Sequence, residues 1–450
     1  MRMTTPIRDF VEGYVAADAV RLHMPGHKGA SLLGFEAYDI TEVAGADSLY
    51  EADGIIRQSE QNASRLFGCR TYYSTEGSSQ CIRAMLQLVG TYAGVRGIDR
   101  PLVLAGRNAH KTFLSAAALL DLDVEWLYPD GEDGYLTCTL TPARLEAYLA
   151  AAERLPAAVY VTSPDYLGNV ADVAALAAVC HAHGVLLLVD NAHGAYLKFL
   201  KPSRHPMDLG ADLCCDSAHK TLPVLTGGAY LHVGAHLTAL SEERVKHALA
   251  LFGSTSPSYL ILQSLDLCNA VMDDEDFAGS LQLTAARVAA ARARLEAHGL
   301  TSVGDEPLKL TIAPRAFGYT GNEVAAHLRA RGLECEFADP DVLVLMFTPA
   351  ITEQDVAELV GALSALPRRA PLPCDPPRAG RPARALSVRE AMLSPAETLP
   401  ACACAGRVLA MATVGCPPAV PIVASGEVID AACIAACDYY GIKTLTVVKN

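Results

Sequence analysis

The sequence lacks the features that mark a membrane, nucleic-acid-binding or secreted protein. Its most apolar runs, at 185–189, 342–347 and 420–424, are far shorter than the roughly 20 residues that cross a bilayer. It has no excess of basic charge, since 50 acidic and 36 basic residues give a net charge of −14, so we expect no nucleic-acid partner. The first twenty residues contain no apolar run and no cleavage-site pattern. We therefore expect no signal peptide, no membrane contact and a cytoplasmic protein.

Motifs that mark a metal or nucleotide site are also missing. The fourteen cysteines follow no regular spacing, and we expect them to be reduced and mostly buried. Cys402 and Cys404 have the wrong spacing for a zinc knuckle, so we expect no metal site. No G-x-G-x-x-G follows a predicted strand, and the chain has neither a P-loop nor a G-x-S-x-G turn. These absences argue against a nicotinamide cofactor in particular.

Between about residues 70 and 235, the chain alternates short apolar runs with longer Ala- and Leu-rich stretches. Continuous apolar strands separated by helices are typical of an α/β fold whose mostly parallel sheet is covered on both faces. Ligands of such sheets bind beyond the carboxyl ends of the strands. The predicted strands are 102–105, 157–161, 185–189 and 229–233, and the predicted helices are 79–92, 111–120, 142–153 and 173–183.

After about residue 240, the sequence pattern changes three times. Residues 240–300 are helical in pattern, and the segment from 306 to 365 alternates strands and helices on a smaller scale. A Pro- and Arg-rich stretch then has the composition of a semi-rigid linker. We predict a large domain at 1–300, a small α/β domain at 301–365, a linker at 366–385 and a C-terminal module at 386–450.

Four polar groups are candidates for the ligand site, and most of them lie near the ends of predicted strands. Lys220 precedes a Gly-rich turn, which suits a Schiff-base lysine, although a lone lysine is more often a surface charge. Asp190 ends an apolar strand, where it would either pair with a protonated pyridine nitrogen or cap the next turn. Residues 74–79 begin a predicted helix, and they would either bind a phosphate through their backbone N–H groups or form an ordinary N-cap. His110 would stack on a cofactor ring or serve as scaffold. Their order favours a pyridoxal-phosphate site.

Eight motifs in a fixed order carry a family resemblance. The sequence resembles the Orn/Lys/Arg decarboxylase family, which are pyridoxal-phosphate enzymes with an aspartate-aminotransferase-like fold (fold type I), and in particular the short bacterial arginine and lysine decarboxylases. The resemblance covers nearly the whole chain. The motifs are HMPGHKG (23–29), DITEVAGADSLYEADGII (39–56), STEGSS (74–79), RNAHKT (107–112), TSPDYLG (162–168), DNAHGAY (190–196), DSAHKTLPVLTGGAYLHV (216–233) and STSPSY (254–259).

The resemblance implies a role for each candidate site residue. Lys220 would hold pyridoxal phosphate covalently, Asp190 would pair with the ring nitrogen, and His110 would stack on the ring. Ala192 would pack against the other ring face, and His193 would lie near the lysine. The residues that bind the phosphate would be Gly77, Ser78, Ser79, Ser217 and His219.

The implied reaction is decarboxylation of a basic amino acid, with arginine or lysine ahead of ornithine, in polyamine biosynthesis. Lys220 or His219 would return the proton to Cα. For the cationic side chain of the substrate, the candidate partners are Asp47, Glu51 and Glu427. Helix caps or surface charges explain these three carboxylates equally well.

The resemblance also implies an obligate homodimer and leaves a higher oligomer open. Ser254 and Thr255 would reach the active site of the neighbouring subunit. Two alternatives to decarboxylation stay open. One is another fold-type-I reaction, by an aminotransferase or a lyase, and the other is a non-catalytic regulator that keeps the fold.

Three departures from the family pattern bear on activity. Glu76 stands where the family usually has Asn, and Asn191 stands where it usually has an acidic residue. Gly415-Cys416 and Ser425 occupy positions where aromatic and Pro residues are common. A carboxylate beside a phosphate is unfavourable unless it points away or is protonated. We expect these departures either to alter the choice of substrate or to indicate a divergent activity.

Overall fold

The chain divides into two compact units. The structure is a computed structural model that describes residues 3–128, 135, 138, 140–373, 377–378, 380–413 and 420–449 of the 450. The first unit comprises Met1–Pro101 and Val173–Gly279, and the second comprises Leu102–Asp172 and Ser280–Asn450. Gly415 and Cys416 lie outside the described residues, as do positions 374–376 and 379 of the predicted linker. Among the described residues, no helix is long and apolar enough to cross a membrane.

Helices and strands alternate along most of the chain, as the predicted α/β class requires. The helices are α1 (Pro6–Ala16), α2 (Ile55–Phe67), α3 (Gly77–Val95), α4 (Lys111–Leu120), α5 (Pro142–Ala151), α6 (Val173–Ala182), α7 (Ala218–Thr221), α8 (Glu242–Ala250), α9 (Tyr259–Met272), α10 (Glu275–His298), α11 (Gly321–Arg329), α12 (Glu353–Ser364), α13 (Val388–Leu393) and α14 (Ala431–Tyr439). The strands are β1 (Arg70–Ser74), β2 (Leu102–Gly106), β3 (Asp123–Leu127), β4 (Ala158–Thr162), β5 (Leu186–Asp190), β6 (Leu213–Asp216), β7 (Ala229–Val233), β8 (Thr301–Val303), β9 (Lys309–Ala313), β10 (Phe337–Ala338), β11 (Leu343–Met346), β12 (Ala396–Pro400) and β13 (Thr444–Val448).

In the first unit, the strands lie in the order β1-β7-β6-β5. Strand β7 runs antiparallel to both of its neighbours, whereas β5 and β6 are parallel. Strands β1, β5 and β6 therefore point the same way, and their carboxyl ends reach one edge of the sheet. The segments that follow those three ends carry the STEGSS, DNAHGAY and DSAHKT motifs. The topology thus brings together three motifs that are far apart in the sequence.

The strands that lead to this edge are buried. Strand β5 has the sequence LLLVD, and all five of its residues are buried, including the carboxylate at its end. Helix α3 packs against β6 and β7, and α2 packs against β1, α1 and α9. Burial of apolar side chains contributes about 25 cal/mol per Å², so these contacts fix the strands from which the polar loops extend.

The described residues of the second unit form three groups of strands. Strands β4, β2 and β3 are neighbours and run parallel. Strands β10, β11, β9 and β8 form an antiparallel sheet that shares an apolar core with α11 and α12. Both helices begin with a capping box, at Thr320 with Glu323 and at Thr352 with Asp355. Strands β12 and β13 pair antiparallel and share a core with α14.

Candidate active site

Lys220 and His193 meet at the carboxyl edge of the sheet in the first unit. Lys220 lies in the short helix α7, just after β6, and His193 lies in the loop after β5. The Lys220 Nζ is 3.0 Å from the His193 Nε2. His193 is buried and Lys220 is partly exposed. This contact holds the Lys220 amine beside the His193 imidazole, at the carboxyl ends of β5 and β6.

Asp190 is buried at the end of β5, three residues before His193 in the chain. Its Oδ1 accepts the Ala192 N–H at 3.2 Å, which is the turn contact expected of a capping carboxylate. The same oxygen lies 3.6 Å from the Cys215 Sγ on the adjacent strand. Burial raises the pKa of the Cys215 thiol well above its ordinary value, so the thiol keeps its proton and donates to Asp190. These contacts fix the orientation of the Asp190 carboxylate.

The start of α3 is lined by donors suited to an anion. The Ser217 Oγ donates to the Ser78 Oγ at 2.8 Å, which joins the loop after β6 to the first turn of the helix. The His219 ring lies beside Gly77, where an added Cβ would come within 3.9 Å of its Cε1. N–H groups in the first turn of a helix point out of its end and attract anions, and Ser78 and Ser79 lie in that turn.

Gly77 joins the start of α3 to the Gly-rich turn before β7, and its predicted contact with a phosphate stays a prediction. Its N–H donates to the Gly227 carbonyl at 2.7 Å, so this N–H is already engaged within the protein. Gly227 has a φ of +102°, and an added Cβ would lie 2.8 Å from the Thr75 carbonyl oxygen. The close approach of the two loops therefore requires glycine at 227.

Glu76 is accommodated by a contact with the STSPSY segment. Its Oε1 accepts the Ser254 N–H at 2.5 Å, and the side chain is exposed. The carboxylate thus joins the STEGSS loop to residues 254–259 of the same chain. Ser254 and Thr255 are themselves exposed. Their predicted reach into a neighbouring active site stays a prediction.

Two of the three carboxylates considered for the substrate have partners within the protein. The Asp47 Oδ2 accepts the N–H groups of Gly54 and Ile56, at 2.9 and 3.0 Å, where α2 begins. In the second unit, Glu427 forms two hydrogen bonds with Arg107, of 2.6 and 2.7 Å. Asp47 is therefore a helix-capping residue, and Glu427 is the anion of a buried ion pair. These contacts occupy the carboxylates that were considered as partners of the substrate side chain. Glu51 is exposed.

His110 belongs to the second unit, where it begins helix α4. Its Nδ1 accepts the Thr112 N–H at 3.3 Å, which makes it the N-cap residue of the helix. Because a backbone N–H can only donate, a neutral His110 carries its proton on Nε2. The side chain is exposed. Its stacking on a cofactor ring stays a prediction.

A buried polar cluster that the sequence did not predict lies next to the site. His205, Asp216 and His232 each offer a ligand atom, and these atoms lie within 4.8 Å of one another, the one such group among the described residues. In the sequence, Asp216 is recognisable only as the first residue of the DSAHKT motif. The two histidines are 11 and 16 residues from it, so no short-range signal links them.

Comparison with known proteins identifies the family. Residues 5–303 match the family model described as Orn/Lys/Arg decarboxylase, major domain. Arginine decarboxylases of Bacillus subtilis and Halalkalibacterium halodurans are each 29% identical over 94% of this chain and 91% of their own length. A lysine decarboxylase of Francisella novicida is 16% identical and shares the fold, with a TM-score of 0.81 over 99% of this chain and 81% of its own. Because the family model covers more than half of the sequence, the chain belongs to the Orn/Lys/Arg decarboxylase family and is a decarboxylase enzyme.

Proposed function

We propose that the protein is a pyridoxal-phosphate-dependent decarboxylase that converts arginine or lysine, and less favourably ornithine, into the amine and CO₂. The observation that carries the proposal is the meeting of Lys220, His193 and buried Asp190 at one sheet edge. Arginine is the first substrate to test, because relatives 29% identical over 94% of the chain are arginine decarboxylases.

The donor set of the first unit fits pyridoxal phosphate. Lys220 supplies an amine for its carbonyl, and Asp190 supplies a buried carboxylate for its ring nitrogen. Ser78 and Ser217 supply hydroxyls at a helix N-terminus, which suits a phosphate. When bound, the cofactor would act as the electron sink that allows the bond between Cα and the carboxylate to break.

Residues of the chain would hold the cofactor and would return one proton to the Cα of the substrate. Asp190, oriented by the Ala192 N–H and the Cys215 thiol, would keep the ring nitrogen protonated. The hydrogen bond between Lys220 and His193 would hold the amine at the site, and Lys220 would return the proton to Cα. The contact with His193 favours Lys220 over His219 for this step, since the His219 Nδ1 donates to the Gly228 carbonyl at 3.0 Å.

A homodimer is part of the proposal. Four large apolar side chains in the segment from 20 to 33 are exposed by 76–91% in the isolated chain: Val20, Leu22, Leu32 and Leu33. Large apolar side chains that are exposed in one segment favour burial in an association surface, and a second copy of the chain is the partner we propose. Sedimentation analysis tests this: we expect a dimer, and a smaller species when Leu22 and Leu32 are both changed to Asp. A monomeric wild type would contradict it.

A cytoplasmic location is also proposed. The twelve cysteines in the described part of the chain are all free thiols, and most of them are buried. Proteins of oxidising compartments pair their cysteines, so this usage supports a reducing one. Thiol counting on denatured protein purified under non-reducing conditions tests the point, and cysteines recovered as disulfides would contradict it.

Product analysis tests the reaction. The protein, supplied with pyridoxal phosphate, is assayed for CO₂ and amine with arginine, lysine and ornithine. We expect equal amounts of both products from arginine or lysine, lost in Lys220→Ala and kept within about twofold in the matched control Lys201→Ala, an exposed lysine. A keto acid without CO₂, or no reaction with any of the three, would refute the proposal.

A further inference from the structure

Asp216 is a buried carboxylate with no role in the reaction described above, and four side chains donate to it: His205, His232, Asn191 and the Cys214 thiol. Its Oδ2 lies 3.0 Å from the His205 Nε2 and 3.0 Å from the His232 Nε2. Its Oδ1 accepts the side-chain N–H of Asn191 at 2.7 Å. None of the four side chains is exposed to solvent. A carboxylate buried so completely must be ionised and paired, or neutral.

The protons in this cluster can be assigned from its contacts. The Met207 N–H donates to the His205 Nδ1 at 3.3 Å, so His205 carries a proton on Nε2 and donates it to Asp216. A protonated Nε2 has no lone pair for a metal, so the cluster is a hydrogen-bonded group rather than a metal centre.

The charge of the cluster follows from the same contacts. Although burial alone raises a carboxyl pKa, His205 and His232 hold the pKa of Asp216 well below its usual range. Although burial alone lowers an imidazole pKa, Asp216 raises the pKa of His232. Asp216 is therefore an anion held by donors on every side.

Asn191 connects this anion to the strand end that carries Asp190. Its backbone N–H donates to the Cys215 carbonyl at 3.0 Å, and its side chain donates to Asp216. One residue thus makes two bonds across the ends of β5 and β6, where the segments with Asp190 and Lys220 begin.

Asp216 acts from the other face of the sheet. In the parallel register, Asp190 pairs with Cys215, and the Cys215 thiol contacts the Asp190 carboxylate. Successive side chains of a strand point to opposite faces, so Asp216 lies on the face away from Asp190. It therefore acts through Asn191 and does not touch the groups that hold the cofactor.

We propose that Asp216, fixed by His205 and His232, is a positioning residue that sets the spacing of Asp190 and Lys220 through Asn191. This inference rests on the proposed function of Asp190 and Lys220. It gives position 191 a physical requirement, because the group there must donate to an anion 2.7 Å away. A carboxylate at 191 would face a second carboxylate at that distance and force the strand ends apart.

The test compares cofactor binding in four variants. Affinity for pyridoxal phosphate and the wavelength of its visible absorbance maximum are measured for Asp216→Asn, for Asn191→Asp, for the double variant with both changes, and for Asp212→Asn. Asp212 is the matched control. It is buried, accepts hydrogen bonds from His181 and His236, and forms no hydrogen bond with the Asn191 side chain in the described part of the chain.

We expect both single changes at 191 and 216 to weaken cofactor binding by about tenfold or more and to move the absorbance maximum. Asp212→Asn should leave the affinity within about twofold and the maximum unmoved. The double variant restores an amide and a carboxylate in exchanged positions, so it should bind better than Asn191→Asp and regain the wild-type maximum. This swap distinguishes positioning from a simple loss of stability.

Three results would overturn the inference. They are an Asp216→Asn variant that binds like Asp212→Asn, a double variant no better than Asn191→Asp, and equal losses in all four. Failure of the proposed function would look different, because wild type would then show no visible absorbance band with pyridoxal phosphate.

Discussion

Substitution of Glu427 tests whether this residue forms a structural ion pair or binds the substrate. In the second unit, Glu427 and Arg107 are 3% and 2% exposed at their side chains and join by two hydrogen bonds of 2.6 and 2.7 Å. The Arg107 guanidinium also lies 5.1 Å from the Trp126 ring and 5.3 Å from the Tyr128 ring. Glu427 therefore neutralises a cation that is enclosed by aromatic rings.

The expected cost of Glu427→Ala follows from that enclosure. Burial alone lowers the pKa of Arg107, but Glu427 raises it, and a guanidinium keeps its charge in any case. Truncation leaves this charge buried without its anion, and breaking a buried pair in this way costs about 3–5 kcal/mol. The Ala424 N–H, which donates to the Glu427 Oε2 at 2.8 Å, loses its acceptor as well.

Urea unfolding and steady-state kinetics together provide the assay. We expect Glu427→Ala to lower the unfolding free energy by about 3–5 kcal/mol while the KM for arginine stays within about threefold. The matched control is Glu353→Ala, because Glu353 pairs with Arg287 at 3.2 Å but is 81% exposed, and it should leave stability unchanged. Unchanged stability with a KM raised tenfold or more would refute this reasoning and make Glu427 a substrate ligand.

Three further predictions concern single carboxylates. Glu76→Gln removes a charge beside the start of α3 but keeps the acceptor for Ser254, so pyridoxal phosphate should bind a few-fold more tightly in a fluorescence titration. Asp47→Ala should lower the unfolding free energy by about 1–3 kcal/mol without changing KM, because three N–H groups at the start of α2 and two in the turn before it lose their acceptor. Burial raises the pKa of Asp266 to about 6 from 3.8, so between about pH 4 and 6 the native carboxyl binds a proton that the unfolded chain has released. Wild-type stability should therefore fall relative to Asp266→Asn as pH rises through that range, by roughly 2 kcal/mol in urea unfolding, and a constant difference would contradict the shift.

The sequence predicted the strongly periodic elements well. The helix expected at 111–120 and the strand expected at 229–233 have the observed bounds, and the strand expected at 185–189 is displaced by one residue to include Asp190. Strands β1, β3 and β6 were not predicted. Their sequences, RTYYS, DVEWL and LCCD, are short or mix polar with apolar residues, and pairing in the sheet outweighs that weak local signal.

The candidate site was only partly predictable, for a similar reason. Lys220, Asp190 and the STEGSS loop could be found because each lies at the end of an element and carries its own chemistry. The partners of Asp216 could not be predicted from the sequence. His232 comes within hydrogen-bonding distance of Asp216 only because β6 pairs antiparallel with β7, which places His232 opposite Cys214. The ion pair of Arg107 with Glu427 spans 320 residues and leaves no pattern in the sequence.

The most direct test of the central claim is to find which lysine holds the cofactor. The protein is loaded with pyridoxal phosphate, reduced with borohydride to fix the cofactor to its lysine, digested and analysed by mass spectrometry. We expect the added mass on the peptide that contains Lys220, the residue whose amine lies 3.0 Å from His193. A label on another lysine, or none on a protein that still releases CO₂ from arginine, would contradict it.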